Sequence, residues 1–350
     1  MKIAINGFGR IGRTSFRVWF NSHKEKADLV AVNTSGSMDL AAWAHLLKYD
    51  SNYGVWDQEI SVQEHQKSKD ATDQDPVIGT LVIGDKHIQF LAQRDPAKLP
   101  WGTLQVDTVI ESTGVFITKE KASLHIAAGA KRVVISAPPK GEDVGTYVLG
   151  VNEAAETHQE TAGVQVLSNA SCTTNCVAPV AAVIHATFGV KKAMMTTIHA
   201  YTDDQNLHDN SHRDLRRARA AAKNIVPTTT GAAIAVTETI PELKGLFDGL
   251  SMRVPVGVGS LSDMTFVVGK PTTVEEVNQA IVEASNAPRW KGILTVTNDP
   301  IVSSDIVGRP ESSIVDLALT QVVGGDLVKV ISWYDNEFGY CNRLVEQSVQ

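Results

Sequence analysis

The chain is poor in the features that mark export, membrane insertion or binding to polyanions. Three cysteines in 350 residues, a small and odd number, give no disulfide framework and fit a reducing compartment. No run of eighteen apolar residues occurs, so a membrane-spanning helix is not expected. Met1-Lys2-Ile3-Ala4-Ile5-Asn6 leads straight into a glycine motif without a signal-peptide h-region. Positive charge is not in excess: 32 basic against 39 acidic residues give a net charge of -7, which predicts no global attraction to nucleic acid or an anionic membrane. A cytoplasmic protein without a metal is expected. With 43% hydrophobic and 20% charged residues, the chain is long enough for two domains with separate cores.

A fourth absence is local. A short apolar strand, Lys2 to Asn6, precedes Gly7-Phe8-Gly9-Arg10-Ile11-Gly12 and a helical pattern from Arg13 to about Asn21. In strand, G-x-G-x-x-G and helix, the glycines permit a tight turn, close approach of backbone to a pyrophosphate, and close packing of helix on strand. The second strand, Leu29–Asn33, ends at the right distance to meet an adenosine ribose. NAD-selective sites usually carry Asp or Glu there, but this chain has Asn33-Thr34-Ser35-Gly36-Ser37. A carboxylate would repel a 2′-phosphate, whereas hydroxyls and N–H groups can bind one, so NADP becomes admissible. The alternative is a polar loop that has lost one contact and still uses NAD.

Further along, residues 39–48 are predicted helical. Gln63–Pro76, rich in Lys, Gln, Asp, Ser and Thr, has no apolar period and is predicted to be an exposed loop or insertion. Strands are expected at Thr80–Ile83 and His87–Leu91, with Gly84-Asp85 as their hairpin turn. Val106–Glu111, followed by Ser112-Thr113-Gly114, and Val133–Ser136 are expected as buried parallel strands with a helix over 118–128 between them. This alternation predicts an α/β fold, a Rossmann doubly wound parallel sheet with the cofactor at the strands' carboxyl ends. After residue 190 the pattern changes. Strands at Ala193–Ile198, Ser251–Val256, Asp263–Val268, Ile293–Val296, Ser313–Asp316 and Leu327–Tyr334, with helices at Val274–Ala284 and the C-terminus, suggest an α+β catalytic domain with a mainly antiparallel sheet. The expected division is a dinucleotide-binding domain over 1–170, with a C-terminal helix of about 337–350 packing back on it, and a catalytic domain over 171–336.

Between the two patterns lies Ser168-Asn169-Ala170-Ser171-Cys172-Thr173-Thr174-Asn175-Cys176. Apolar positions after it recur at helical spacing up to Gly189, which puts Cys172 at a helix N-terminus. Unpaired N–H groups and the helix dipole there favour a thiolate, the nucleophilic form, and equally an oxyanion. Alone, a cysteine among small residues reads as well as a small buried hydrophobe. Pro179 is expected to kink the helix.

These pieces, together with Thr197-Ile198-His199-Ala200-Tyr201-Thr202, Asp214-Leu215-Arg216-Arg217-Ala218-Arg219, Thr228-Thr229-Thr230-Gly231-Ala232-Ala233, Arg253-Val254-Pro255 and the run Trp333 to Tyr340, resemble phosphorylating glyceraldehyde-3-phosphate dehydrogenase from end to end. The resemblance implies that Cys172 attacks the aldehyde, that hydride leaves for a nicotinamide, and that inorganic phosphate attacks the resulting thioester. It implies His199 as the base and as an ion-pair partner that lowers the thiol pKa. By the same resemblance Thr202 and Arg253 hold the phosphate of the aldehyde, and Ser171, Thr173, Thr230 and Gly231 hold the attacking phosphate, with Arg217 in the same anion region. Gly7, Gly9, Arg10, Ile11, Gly12, Asn33, Thr34, Ser35, Arg94, Thr113, Gly114, Ser136, Ser211 and Asn336 are implied for the cofactor, the last of these orienting the carboxamide. Cys176 and Cys341 are expected to be structural. Homotetramers are implied, with 201–223 as the interface loop.

Three departures bear on the cofactor. Thr34 replaces the usual Asp, Asn210-Ser211 replaces Leu-Pro before His212, and Arg94 follows Gln93. Hydroxyl, serine and arginine at these positions resemble the NADP-using photosynthetic members, in which the serine reaches the 2′-phosphate from a neighbouring subunit. NADP, preferred or shared with NAD, is the expectation. Val256–Ser260 replaces the more frequent Thr-Pro-Asn run, and the 63–76 insertion is unusual. The sequence to Gln350 carries no cysteine-bearing tail like that of some regulated plastid forms, so internal thiol regulation of that kind is not expected. Two rival functions are an erythrose-4-phosphate dehydrogenase, which shares the cysteine motif but lacks the Thr-Thr-Thr-Gly-Ala-Ala run, and a nucleotide-binding redox sensor, which would be supported by loss of Cys172 or His199.

Overall fold

The computed structural model describes residues 1–141, 143–153 and 159–349. The chain divides into two compact units, one of Met1–Gly145, Thr161–Asn169 and Cys341–Gln350, the other of Thr146–Glu160 and Ala170–Tyr340.

The first unit is built on a sheet whose spatial order is Gly145–Thr146, Val166–Ser168, Arg132–Ile135, Thr108–Glu111, Lys2–Asn6, Asp28–Thr34, Lys86–Ala92, Val77–Ile83 and Ser61–Glu64. Pairing is parallel from Val166–Ser168 to Lys86–Ala92. The last two pairings are antiparallel, and Ile83 faces Lys86 across the predicted Gly84-Asp85 turn. The parallel strands are buried on both faces, as such sheets require. On one face Ala4, Ala31, Leu91, Trp101, Val106 and Val109 form a core cluster. Phe8, Phe16, Trp19, Phe20, Trp43, Trp56 and Phe90 pack elsewhere as a chain of edge-to-face rings, a geometry set by the ring quadrupole.

The predicted insertion is partly structured. Ser61–Glu64 forms the outermost strand, and Ser68–Asp70 makes a short 3-10 turn with Ser68 buried. Its polar composition hid this because an edge strand with one exposed face carries few apolar residues.

The second unit contains a sheet ordered Val226–Thr228, Phe247–Val254, Val190–Ala200, Ser260–Val268, Leu327–Tyr334, Ser313–Asp316 and Leu294–Thr297, with Gln321–Val323 also paired to Leu327–Tyr334. Most pairs are antiparallel, but Val190–Ala200 runs parallel to Phe247–Val254, and Leu294–Thr297 parallel to Ser313–Asp316. Helices Cys172–Phe188, Ala232–Thr239 and Val274–Asn286 bury Val177, Val180, Ile184, Val236, Val277 and Ile281 in one core with Met264, Phe266 and Val330. The Cys172 helix runs unbroken past Pro179. Only one backbone N–H is lost there, and the fully buried neighbours Ala178 and Val180 hold the turn in place.

The C-terminal helix spans Phe338–Ser348, with Gln350, the end of the expected 337–350 helix, outside the described residues. Among the described residues no helix is long and apolar enough to cross a membrane.

Candidate active site

Each unit carries one half of the expected machinery. In the first, Gly7 has φ +96°, and a Cβ there would lie 2.8 Å from Ser112 C and Thr113 N. A Cβ on Gly12 would come within 2.0 Å of the Gly7 carbonyl oxygen. Over Gly9, which caps the Arg10–Val18 helix, nothing lies within 4 Å of the position a Cβ would take. Turn, helix packing and open space are thus divided among the three glycines, and the open one sits at a helix N-terminus where N–H groups face an anion.

Beside this turn a cavity of about 440 Å³ is lined by Gly7, Gly9, Thr34, Ser35, Arg94 and Thr113 from the predicted set. Asn6, Phe8, Trp43, Gln93, Ser112, Val115 and Phe116 also line it, none of which the sequence reading assigned. Asn33 lies beneath, donating to Asn6 Oδ1 (2.7 Å) and the Gln93 carbonyl (2.8 Å) and accepting from Gln93 N (3.0 Å). Asn6 in turn donates to buried Glu111, which also accepts from Thr113 N at 2.8 Å. Asn33 and Asn6 therefore shape the floor through hydrogen bonds.

Arg10, Ile11, Gly12, Gly114 and Ser136 do not line the cavity. The Arg10 guanidinium is paired with Asp50 instead, so its side chain is committed to the protein. Gly114 is a positive-φ turn with open space beside it, and Ser136 N donates to the Glu111 carbonyl at 2.9 Å. Thr34 is buried, and its hydroxyl donates to the Leu91 carbonyl at 3.0 Å while accepting from Gly36 N at 3.3 Å. With its proton already given away, Thr34 contributes absence of charge more than a donor. Arg94 is exposed, donates through Nε to the Ser35 carbonyl at 3.3 Å, and forms no ion pair among the described residues.

In the second unit, Ser171 is the N-cap of the Cys172 helix and its Oγ accepts from Thr174 N at 3.1 Å. Ala170, just before it, is held at φ +56°, a conformation that costs a non-glycine residue about 1 kcal/mol or more. This turn presents Cys172, partly exposed, as the first helical residue. Its Sγ lies 3.4 Å from His199 Nε2.

Sheet register gathers the rest. His199 lies within the Val190–Ala200 strand, and Arg253 is its neighbour on the parallel strand. Alternation puts Thr197 and His199 on one face, and both meet Tyr334: Thr197 Oγ1 at 2.8 Å from the phenol, and the imidazole edge-on to the ring at 5.9 Å. The phenol also bonds Thr173 Oγ1 at 2.8 Å. The run Trp333 to Tyr340 contains Tyr334 without marking it as functional. Its signal is visible only once the strand pairing is known.

The imidazole Nδ1 donates to the Ala200 carbonyl at 2.7 Å, which leaves the Nε2 lone pair for the thiol. Burial pushes His199 down to about 3, and the adjacent Arg253 charge pushes the same way. Burial pushes the Cys172 thiol up, against the pull of Arg253 and of hydrogen bonds from Thr173. Burial thus opposes the charged form of each partner, and so the ion pair expected from the resemblance, although the partly exposed cysteine feels it less than the buried imidazole.

Arg253 Nη1 donates to Thr202 Oγ1 at 3.0 Å, while its Nε is buried with no hydrogen-bond partner among the described residues. A buried guanidinium donor with nothing to bind fits an anion's oxygen. Arg217 is differently placed: it pairs with Asp204 and donates to Thr228 Oγ1 (2.9 Å) and the Thr229 carbonyl (3.2 Å). Thr230 Oγ1 accepts from Ala232 N, and Gly231 caps the Ala232–Thr239 helix. Asn336 Oδ1 accepts from Gly259 N and Ser260 Oγ, both at 3.0 Å, which fixes the amide. The Val256–Ser260 run makes this possible, since a Cβ on Gly259 would lie 2.5 Å from the Ser303 carbonyl. Ser211 is exposed, its N bonded to Asn210 Oδ1.

A dinucleotide turn on one unit and a cysteine–histidine pair on the other define a nicotinamide-dependent dehydrogenase that works through a covalent thioester. Residues 1–119 match the NAD binding domain of glyceraldehyde 3-phosphate dehydrogenase, and residues 171–336 match its C-terminal domain. Glyceraldehyde-3-phosphate dehydrogenase 2 of Streptomyces avermitilis is 50% identical, covering 100% of this chain and 98% of its own. Glyceraldehyde-3-phosphate dehydrogenase 2 of Synechocystis is 48% identical over 99% and 96%, and the chloroplastic A form of Chlamydomonas reinhardtii 47% identical over 99% and 87%. The chain belongs to the glyceraldehyde-3-phosphate dehydrogenase family.

Proposed function

We propose that the protein interconverts glyceraldehyde 3-phosphate, inorganic phosphate and NADP with 1,3-bisphosphoglycerate and NADPH, in the cytoplasm and as a homotetramer. The observation that carries the chemistry is the 3.4 Å approach of Cys172 Sγ to His199 Nε2 at a helix N-terminus. As Sγ bonds to the aldehyde carbon, its proton passes to Nε2, and the new oxyanion is stabilised by the helix N–H groups. The nicotinamide cofactor, when bound, supplies the acceptor for the hydride that leaves this carbon. An oxygen of hydrogen phosphate then attacks the thioester carbon, Cys172 departs and takes back the proton held by the imidazolium, and the phosphate's own proton is released to solvent. Arg253, through Nε, and Thr202 hold the aldehyde's phosphate. Ser171, Thr173, Thr230 and Gly231 hold the attacking one, once Arg217 exchanges its bond to Asp204 for the incoming anion.

NADP rather than NAD is supported by three features: uncharged Thr34 at the cavity wall, Ser35 beside it, and the unpaired Arg94 at its rim. Ser211, exposed on the second unit, is positioned in this reading to act on a neighbouring subunit's cofactor. A tetramer is supported by exposed Leu207, Leu215 and Ile225, 69–81% accessible on the 201–225 segment.

The test is a steady-state comparison of NADP with NAD on glyceraldehyde 3-phosphate and on erythrose 4-phosphate, repeated with Cys172→Ser and Thr34→Asp. NADP and the three-carbon aldehyde should lead. Cys172→Ser should lose about 10³-fold or more of phosphate-dependent turnover, and Thr34→Asp should reverse the cofactor order by charge repulsion. Equal rates with the serine variant would remove the mechanism, and an NAD preference in the unmodified protein would remove the cofactor assignment.

A further inference from the structure

The 65–76 segment has no place in the chemistry above, yet it is tied to both loops that carry the proposed 2′-phosphate residues. On one side Ser68 N donates to Asp39 Oδ1 at 2.8 Å and Ser68 Oγ donates to the Met38 carbonyl. Lys67 Nζ adds an ion pair with Asp39 at 3.4 Å. These hold the turn that leaves Thr34 and Ser35, and Gly36 at its bend lies under the Ser68 carbonyl and Ala92. On the other side Asp73 Oδ1 accepts from Gln93 Nε2 at 3.0 Å and Oδ2 from Lys98 Nζ at 2.6 Å. Gln93 precedes Arg94 and lines the cavity. Its side chain is clamped at both ends, since Oε1 accepts from Asp95 N at 2.9 Å. Its backbone is paired with Asn33 in both directions.

We infer that residues 65–76 are a specificity brace: by fixing the turn after Thr34 and the loop bearing Arg94 at one spacing, they set affinity for a phosphorylated ribose 2′ position over a bare hydroxyl. This rests on the proposed location of the 2′-phosphate beside Thr34, Ser35 and Arg94. The physical reason is preorganisation. An exposed arginine and two loops of small polar residues lose much of their binding free energy in being ordered around an anion, unless the protein orders them beforehand. Each surface contact of the brace is individually weak, but together they restrain both loops from one peptide segment. Asp73 separates this account from simple electrostatics. Removing its charge leaves Lys98 with only Asp95, at 3.9 Å, and takes one negative charge away from beside Gln93, which by charge alone would strengthen binding of a phosphate. Loss of the Gln93 clamp would weaken it.

Two variants of the full-length protein test this by calorimetric binding of adenosine 2′,5′-bisphosphate and of ADP, probes that need no turnover. The first replaces Gln66–Pro76 by an Asn-Gly turn joining the flanking antiparallel strands; the second is Asp73→Ala. The expected result is a fall in the ratio of affinities, bisphosphate over ADP, of about tenfold for the shortened chain and about threefold for Asp73→Ala, with ADP binding changed less than about twofold. A ratio unchanged in both variants, or raised in Asp73→Ala, would overturn the brace. The cofactor reading is judged separately by the unmodified protein. If that protein binds ADP more tightly, the NADP assignment fails, while a fall in the ratio on shortening still supports the brace. ADP affinity retained by the shortened chain shows that its fold is intact; should it be lost, Asp73→Ala alone decides.

Discussion

His199 is buried beside Arg253, and together these outweigh the Ala200 carbonyl at Nδ1, which favours the cation; the balance governs how the protein responds to acid. An unfolded histidine takes up a proton near pH 6.5, whereas in the folded chain burial, with Arg253, holds His199 down to about 3. Above pH 6.5 neither state binds the proton. Between 6.5 and 3 only the unfolded chain does, so the contribution of this group to stability is full at neutral pH and lost progressively on acidification through that window. His199→Asn should therefore show a shallower loss of unfolding midpoint between pH 7 and 4 than the unmodified protein, measured by chemical denaturation, in addition to a turnover reduced about 10²–10⁴-fold. Parallel pH profiles would mean that the imidazole is not held neutral. Cys172 and His199 were legible in the sequence through the motifs that contain them. Their ionisation was not: a helix N-terminus argues for a thiolate, and only the structure shows that burial opposes it. Arg10 and Thr34 carry a related lesson, because Asp50 and the Leu91 carbonyl claim groups that the sequence leaves unspoken for.

Elements whose ends are chemically marked were read closely. Thr118 and Asp39 precede the helices Lys119–Ala127 and Leu40–Lys48, and Gly84-Asp85 turns the hairpin. The Ala232–Thr239 helix went unread because its cap, Gly231, offers no side-chain acceptor and its preceding threonines favour extended backbone. Pro179 does not end its helix, because the packing of its fully buried neighbours outweighs one lost hydrogen bond. The glycine turn permits a paired test of element packing. Gly12→Ala drives a Cβ onto the Gly7 carbonyl at 2.0 Å, so it should lower Tm by about 4 °C or more and weaken dinucleotide binding with it. Gly9→Ala meets nothing within 4 Å, so it should leave Tm within about 2 °C while still weakening dinucleotide binding, because the methyl enters the space left for phosphate. Thermal shift and equilibrium binding on both variants check this. A Gly9→Ala protein that binds normally would place the pyrophosphate elsewhere.

At the scale of the whole molecule, alternating patterns revealed two architectures, but strand order stayed hidden. His199 and Arg253 are 54 residues apart, and only the parallel pairing between their strands makes them neighbours. The first unit is also discontinuous: its last piece is Cys341–Gln350, after the entire second unit. Cys341, Leu344 and Val345 are fully buried there, and Cys341 Sγ approaches the Ile11 carbonyl at 3.5 Å. Truncation after Tyr340 should therefore weaken dinucleotide binding by the first unit and lower its Tm, although no removed residue lines the cavity; calorimetry on the truncated chain would show it, and unchanged affinity would count against the role of this tail. The same arrangement has a consequence for biosynthesis. A ribosome delivers residues in order, so the amino-terminal unit waits, exposing the apolar seat of that helix, until residues 341–350 have emerged after the whole second unit. Quality-control factors would meet the nascent first unit as an unfinished domain until then, and premature termination anywhere upstream of residue 341 would leave the nucleotide-binding unit without its last piece.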